Sequence, residues 1–253
     1  MSEDLPQPEE QAPLKPIRVK LPRRKPIMTF SIIGVTVLIF LLQYLMSMFS
    51  DVDLFFYYGG KINQFIMEGQ VWRLITPVFL HSSILHIVLN MYALYIIGRR
   101  LELYYGHGRF FLLYLLSAFA GNVFSFVLTP APSVGASTAI FGLLAAEGMF
   151  IFQNRKLFGS DHTRRAIINL GVILIINLVY GFSSLARIDN MGHIGGLLGG
   201  IFFAWKGGPI LRVTGQPPFF DVFDIRKKGE IAIASLAVLL GFTIIALIPF
   251  IVN

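Results

Sequence analysis

Seven blocks of apolar residues run through the chain, each about 15 to 23 positions long, with short polar stretches between them. By hydropathy they fall at about 28–49, 78–98, 109–128, 137–153, 166–183, 191–205 and 230–252. A helix crosses a bilayer with about 20 apolar residues. The pattern therefore predicts an all-α fold, a polytopic membrane helical bundle with about seven transmembrane helices. The fourth and sixth blocks are short, and the sixth is rich in glycine.

The intervening segments divide the chain further. Residues 1–26 are polar, with Asp4, Glu9 and Glu10 followed by Lys15, Arg18, Lys20, Arg23, Arg24 and Lys25. They read as a disordered cytoplasmic tail. The apolar run after them is too long for a signal peptide and lacks a small-residue cleavage site. The segment between the first two blocks, Ser50 to Trp72, is aromatic and reads as an interfacial loop. Residues 206–229, with Gly207, Gly208, Pro209, Pro217 and Pro218, read as a cytoplasmic linker, with a short interfacial piece around Phe219 to Phe223. Residues 230–253 form the seventh transmembrane helix.

Composition agrees: 55% of residues are hydrophobic and 14% charged, against about 25% charged in a soluble domain. The net charge of +7 is a topology signal. With the N-terminus in the cytoplasm, all of the 21 Lys and Arg except Lys61, Arg73 and Arg187 lie in cytoplasmic segments. Little basic charge is left for nucleic acid to explain. Cysteine is absent, which excludes disulfides and thiolate chemistry.

This orientation sends the second, fourth and sixth blocks from outside to inside. His81, His86, Ser137 and His193 then all lie within about 10 to 15 Å of the outer ends of their helices. Ser137 follows Ser133-Val134-Gly135-Ala136, where a loop with Pro130 and Pro132 gives way to a helix. A lone membrane serine ordinarily bonds its own backbone or a neighbouring helix, and a lone histidine a buried carbonyl. The weight rests on their combination. A helix start offers unpaired N–H groups, and Gly135 allows close backbone approach. Gly192, Gly196 and Gly200 put a small-residue face beside His193. If it meets the face of Ser137, Phe141 and Ala145, the imidazole reaches the hydroxyl. His86 and Asn90 lie one turn apart and can donate hydrogen bonds or act as interhelical glue. His81 lies five residues earlier, roughly 140° round that helix, and is expected to support them. No carboxylate accompanies the histidines at metal-ligand spacing, so no metal is expected. Asp189 is expected to cap the sixth helix, or Asn190 to do so, in preference to orienting His193. Glu147 lies too deep to join Ser137 and has no assigned role.

With these residues in place, the chain resembles the rhomboid family of intramembrane serine proteases. The likeness spans about residues 28 to 205. It rests on Trp72-Arg73, on His81 to Asn90 (H-S-S-I-L-H-I-V-L-N), on Glu102 and Gly106, on G-A-S-T from Gly135, and on G-H-I-G-G from Gly192. The resemblance implies a six-helix catalytic core over residues 27–205, with the seventh helix an addition. It implies that Ser137 is the nucleophile and His193 the general base, a dyad without an acid. His86, Asn90 and the Ser137 N–H would form the oxyanion hole. Phe141 would pack on the catalytic histidine, His81 would support the site, and Trp72 and Arg73 would structure the first loop. Thr138 departs from the glycine many members carry and is expected to narrow the site. No cofactor is implied. The implied partners are the lipid bilayer and single-pass membrane proteins with helix-destabilising residues and a small residue before the cut. The compact loops suggest a bacterial plasma membrane. Two other classes compete: a rhomboid-like pseudoprotease that binds membrane helices for quality control, and a small-molecule transporter leaning on Glu147. Members of the former typically lack the serine or the histidine. No convincing inverted repeat supports the latter.

Overall fold

The fold was analysed in a computed structural model that describes residues 18–20, 25–182, 188–216 and 219–252. Each of the seven apolar blocks holds one long helix. In chain order the long helices are α1 (Ile27–Met46), α4 (Ile84–Tyr105), α5 (His107–Leu128), α6 (Ser137–Gln153), α8 (Ser160–Gly181), α9 (Asn190–Gly207) and α10 (Lys228–Val252). Short helices α2 (Leu54–Gly59), α3 (Asn63–Met67) and α7 (Arg155–Phe158) lie between them. Among the described residues, α1, α4, α5, α8 and α10 are long and apolar enough to cross a membrane, and α6 is apolar but shorter.

The core is a three-helix sandwich in which α9 lies between α5 and α6. Its glycines allow this, because two backbones without intervening side chains can approach to van der Waals contact. A methyl group built on Gly196 would run into the Thr138 carbonyl of α6, and one on Gly199 into Ala120 of α5. α10 covers α5 and α9 through a stripe at four-residue spacing, Ala234, Val238, Phe242 and Ala246. α8 is the exception. It packs chiefly on α6, and Ile168, Val172, Ile175, Ile176 and Val179 are exposed. An apolar face without protein contacts is what lipid solvates.

α1 is fixed by a charge. Glu102, fully buried near the end of α4, accepts from Met28 N and Thr29 N at 2.8 Å each and from Thr29 Oγ1 at 2.6 Å. Pro26 precedes the helix and supplies no side-chain cap, so the carboxylate of another helix satisfies the N–H groups that every helix start leaves unpaired.

Three features differ from the sequence reading. First, α4 begins at Ile84, not near residue 78. Thr76–Phe79 is a 3-10 turn containing Pro77, and Ser83 caps α4 by accepting from His86 N at 3.2 Å. His81 therefore sits in the loop ahead of the helix, not round its side. Second, the first loop is folded, not merely interfacial. Arg73 is fully buried and donates to Gln70 Oε1, Gly60 O and Tyr57 O at 2.8, 2.7 and 2.6 Å. Trp72 stays exposed but donates its indole N–H to Tyr58 O at 3.1 Å. Third, the segment after α9 holds a β-hairpin, β2 (Leu211–Gln216) antiparallel to β3 (Phe219–Asp224). β1 (Arg18–Lys20) pairs with β3 in parallel, giving the order β1-β3-β2. The remainder of the tail expectation, residues 1–17 and 21–24, lies outside the described residues. The hairpin is locked to the bundle: Asp224 pairs with Arg109 of α5 at 2.8 Å, and Leu211 N donates to Asn154 Oδ1 at 2.7 Å.

Glu147 also gains a place. It pairs with Arg100 of α4 at 3.0 Å, far along α6 from Ser137.

The seam predicts a sharp contrast between two glycines. Gly196→Ala places a methyl on the backbone of α6 and is expected to destabilise the protein by about 1–3 kcal/mol or more. Gly171 of α8 has no atom within 4 Å of its missing Cβ, so Gly171→Ala should be neutral or stabilising by up to about 1 kcal/mol. Thermal unfolding of both variants in detergent checks the contrast. Equal effects would contradict a backbone-contact seam.

Candidate active site

Ser137 is the first residue of α6 and is half-buried. Ala136 supplies no side-chain cap, so the first turn of the helix keeps N–H groups free for an acceptor. His193 enters from the first turn of α9. Its Nε2 lies 2.9 Å from Ser137 Oγ, within hydrogen-bond reach. The Phe141 ring, one turn along α6, stacks on the imidazole with centroids 4.1 Å apart and planes 11° from parallel. The serine and the aromatic ring thus hold the histidine by edge and by face.

Among the described residues the Asp189 side chain makes no hydrogen bond to the His193 ring. It is the N-cap of α9, accepting from Gly192 N at 2.9 Å, and it also accepts from Ser125 Oγ. Asn190 donates instead to Leu178 O at 3.0 Å and ties the end of α8 to the start of α9. The capping expectation thus holds for Asp189. His193 Nδ1 makes no hydrogen bond among the described residues.

The other polar groups gather around Gly135. Its φ of +129° is one that residues with a Cβ rarely adopt. A Cβ there would lie 2.7 Å from His86 Nε2 and 3.7 Å from Asn90 Nδ2. The missing side chain lets both reach the chain just ahead of Ser137. Asn90 is buried, and its Nδ2 has no acceptor among the described residues. A buried donor without a partner costs about 1–3 kcal/mol. His86 Nδ1 lies 3.2 Å from Ser82 Oγ. If that hydroxyl donates, Nε2 carries the proton and faces Gly135.

His81 stands behind this layer, fully buried. Its ring meets that of His86 edge-to-face at 4.9 Å, and its Nε2 accepts from Ala136 N at 3.5 Å. Its backbone is held by Gln43 of α1 through contacts of 3.2 and 3.3 Å. Thr138 does not enter the site. It is buried, with its methyl packed against the positions of Gly121 and Gly192 in the seam of α5, α6 and α9. The expected narrowing has no basis in this geometry. A β-branched residue here fills the seam because the glycines opposite leave room for it. Sequence reasoning also missed Gln43, whose only signal was an amide in a helix otherwise of apolar, aromatic and small hydroxyl residues.

So Ser137, His193, Phe141, His86, Asn90, Gly135 and His81 form one group at one end of the bundle. Trp72 and Arg73 stand apart, within the first loop.

Comparison with known proteins places the chain in a family. Residues 68–210, more than half of the chain, match the family described as Rhomboid domain. The chain is 43% identical over 180 residues to Rhomboid protease GluP of Bacillus subtilis (strain 168), covering 71% of this chain and 34% of that protein. It is 38% identical over 201 residues to RHOMBOID-like protein 5 of Arabidopsis thaliana, covering 72% of this chain and 62% of the relative. To Rhomboid-like protease 3 of Toxoplasma gondii it is 42% identical over 136 residues, 52% of this chain and 50% of the other. The chain thus spans between a third and somewhat under two thirds of the length of these relatives. Family match and apolar helices together give one conclusion: the chain belongs to the rhomboid family and is an integral membrane protein.

Proposed function

We propose that the protein is an intramembrane serine endopeptidase that cuts transmembrane segments of single-pass membrane proteins. The observation that carries this reading is the 2.9 Å contact between His193 Nε2 and Ser137 Oγ at the free start of α6. Two relatives named as proteases support it. The catalytic core is residues 27–205, and the site faces the outer side of a membrane with the N-terminus in the cytoplasm.

His193 Nε2 accepts the Ser137 proton as Oγ attacks the scissile carbonyl carbon. The carbonyl oxygen becomes an oxyanion near the Ser137 N–H, Asn90 Nδ2 and His86 Nε2. Fixed donors aimed at developing charge lower the barrier because they need no reorganisation during the reaction. The intermediate collapses, the C–N bond breaks, and His193 gives its proton to the leaving amine. Water, deprotonated by His193, then attacks the acyl-enzyme ester and releases Ser137. That water comes from the loop end of the bundle, where Ser82 and Ser83 are exposed, since lipid supplies none. No step calls for a cofactor.

A substrate helix needs a path from lipid to Ser137. The thinly packed α8 and the exposed apolar face of α4, with Leu85, Val88, Leu89 and Tyr92, flank α6 on its lipid side. The segment must unwind there, because a carbonyl bonded within a helix is closed to attack.

Purified protein in detergent is expected to react with a fluorophosphonate probe and to cleave a fluorescent transmembrane peptide. Ser137→Ala should abolish both, and His193→Ala should abolish cleavage. Cleavage that survives Ser137→Ala would remove the serine from its role. A folded wild type that neither labels nor cleaves across a panel of peptides would favour the helix-binding pseudoprotease. Asn90→Ala should lower kcat about 10²–10³-fold with a smaller change in KM, the signature of a lost oxyanion donor. Gly135→Ala should lower labelling at least tenfold, because its Cβ displaces His86; an unchanged labelling rate would mean that His86 has no part in the site.

A further inference from the structure

Lys61, in the first loop between α2 and α3, is fully buried, although a lysine is almost never so unless paired. Its Nζ donates to Thr129 O and Ala131 O at 2.7 Å each. Its backbone forms a two-way bridge with Ser133, N to O at 3.0 and 3.1 Å. All these partners lie in the loop from α5 to α6, the loop that delivers Gly135 and Ser137. The same loop reaches α9. Thr129 Oγ1 lies 3.4 Å from Asp189 Oδ1, Ser125 Oγ donates to Asp189 Oδ2, and Ser125 and Ser133 hydroxyls meet at 3.3 Å. Asp189 in turn caps the first turn of α9, the turn that carries His193.

We propose that the buried Lys61 and the half-buried Asp189 form an oppositely charged strut through Thr129, Ser125 and Ser133 that sets the loop ahead of Ser137 against the first turn of α9. Both are positioning residues for the Ser137–His193 contact and touch no reacting atom. The inference rests on the serine-hydrolase reading only where it concerns reactivity; the ordering of the two segments stands without it.

The charges give the strut a pH signature. Burial lowers the Lys61 pKa from its ordinary 10.5 to about 8, and the Asp189 carboxylate opposes that shift. Among the described residues, Arg73 lies beside Lys61, donating to the neighbouring Gly60 O, and the charge of Asp189 acts on His193. Above pH about 8 the ammonium is lost, and with it the Lys61 charge that acts on Asp189. The sign of the stability effect is opposite. With the folded pKa below the unfolded one, the unfolded chain binds more protons between pH about 8 and 10.5, so this group adds stability as pH rises. An alkaline fall in reactivity without a fall in melting temperature therefore separates positioning from unfolding.

The test uses the full chain in detergent, with fluorophosphonate labelling followed from pH 6 to 10 and hydrogen–deuterium exchange at pH 7. Lys61→Met and Asp189→Asn, which keeps a cap acceptor for Gly192 N, should each slow labelling about tenfold at pH 7. The double variant should be no slower than the worse single one, since both remove the same strut. Wild-type labelling should fall above pH about 8, and Asp189→Asn should move that fall to lower pH. In both variants residues 129–137 and 189–194 should lose exchange protection, while α10 keeps its own. Exchange tests the strut even if wild type proves unreactive, in which case the hydrolase reading fails by itself. Wild-type protection in both segments overturns the strut. So does labelling that falls only in proportion to the folded fraction, or that stays level through pH 10 in a reactive wild type.

Discussion

The structure depends on backbone touching backbone between α6 and α9. Ser137 and His193 each sit in the first turn of a helix, and neither turn can be placed more accurately than the helices beneath it. Glycines at 192, 196 and 200 let the α9 backbone rest on Thr138 and Gly142. At that separation a single methyl group decides whether the imidazole reaches the hydroxyl. In lipid, where apolar side chains gain little by leaving their surroundings, such close packing is the available source of helix–helix attraction. The seam thus provides stability and alignment by the same contact.

The rest of the fold guards that alignment from its two ends. On the Ser137 side, buried polar groups of the first loop satisfy backbone carbonyls: Arg73 those of Tyr57 and Gly60, Lys61 those of Thr129 and Ala131. A loop held this way is a wall, and it lets the strand of chain ahead of α6 adopt the positive φ at Gly135. At the other end Asn154 bonds Phe150 O and Pro209 O, Asp224 pairs with Arg109, and Arg226 donates to Gly208 O at 2.9 Å. That end joins the foot of α6 to the hairpin and to α10. α8 joins this framework chiefly by packing on α6 and through Asn190, and its outer apolar face is left exposed.

Much of this was legible in the chain. Hydropathy located all seven long helices, because a membrane crossing needs an apolar run whose length the bilayer sets. The small-residue series on α9 and the face of Ser137, Phe141 and Ala145 announced a close contact, because helical periodicity puts i, i+4 and i+8 together. The hairpin was hidden by Pro217 and Pro218, which read as a linker. Its strands are fixed by Asp224, Arg109 and Asn154, partners distant in sequence. The start of α4 was hidden because Pro77 to Leu80 is as apolar as the helix it precedes, and hydropathy does not register a cap.

The sequence by itself determined the helices, the family and the residue types of the site, since these follow from local periodicity and short motifs. Only the tertiary structure decided which polar groups meet: Glu102 with the start of α1, Glu147 with Arg100, Lys61 with the loop ahead of α6, and Thr138 with the seam instead of the cleft. Each of these pairings joins residues well separated along the chain. Their partners are chosen by the angle and depth at which whole helices pack, and no local pattern encodes those.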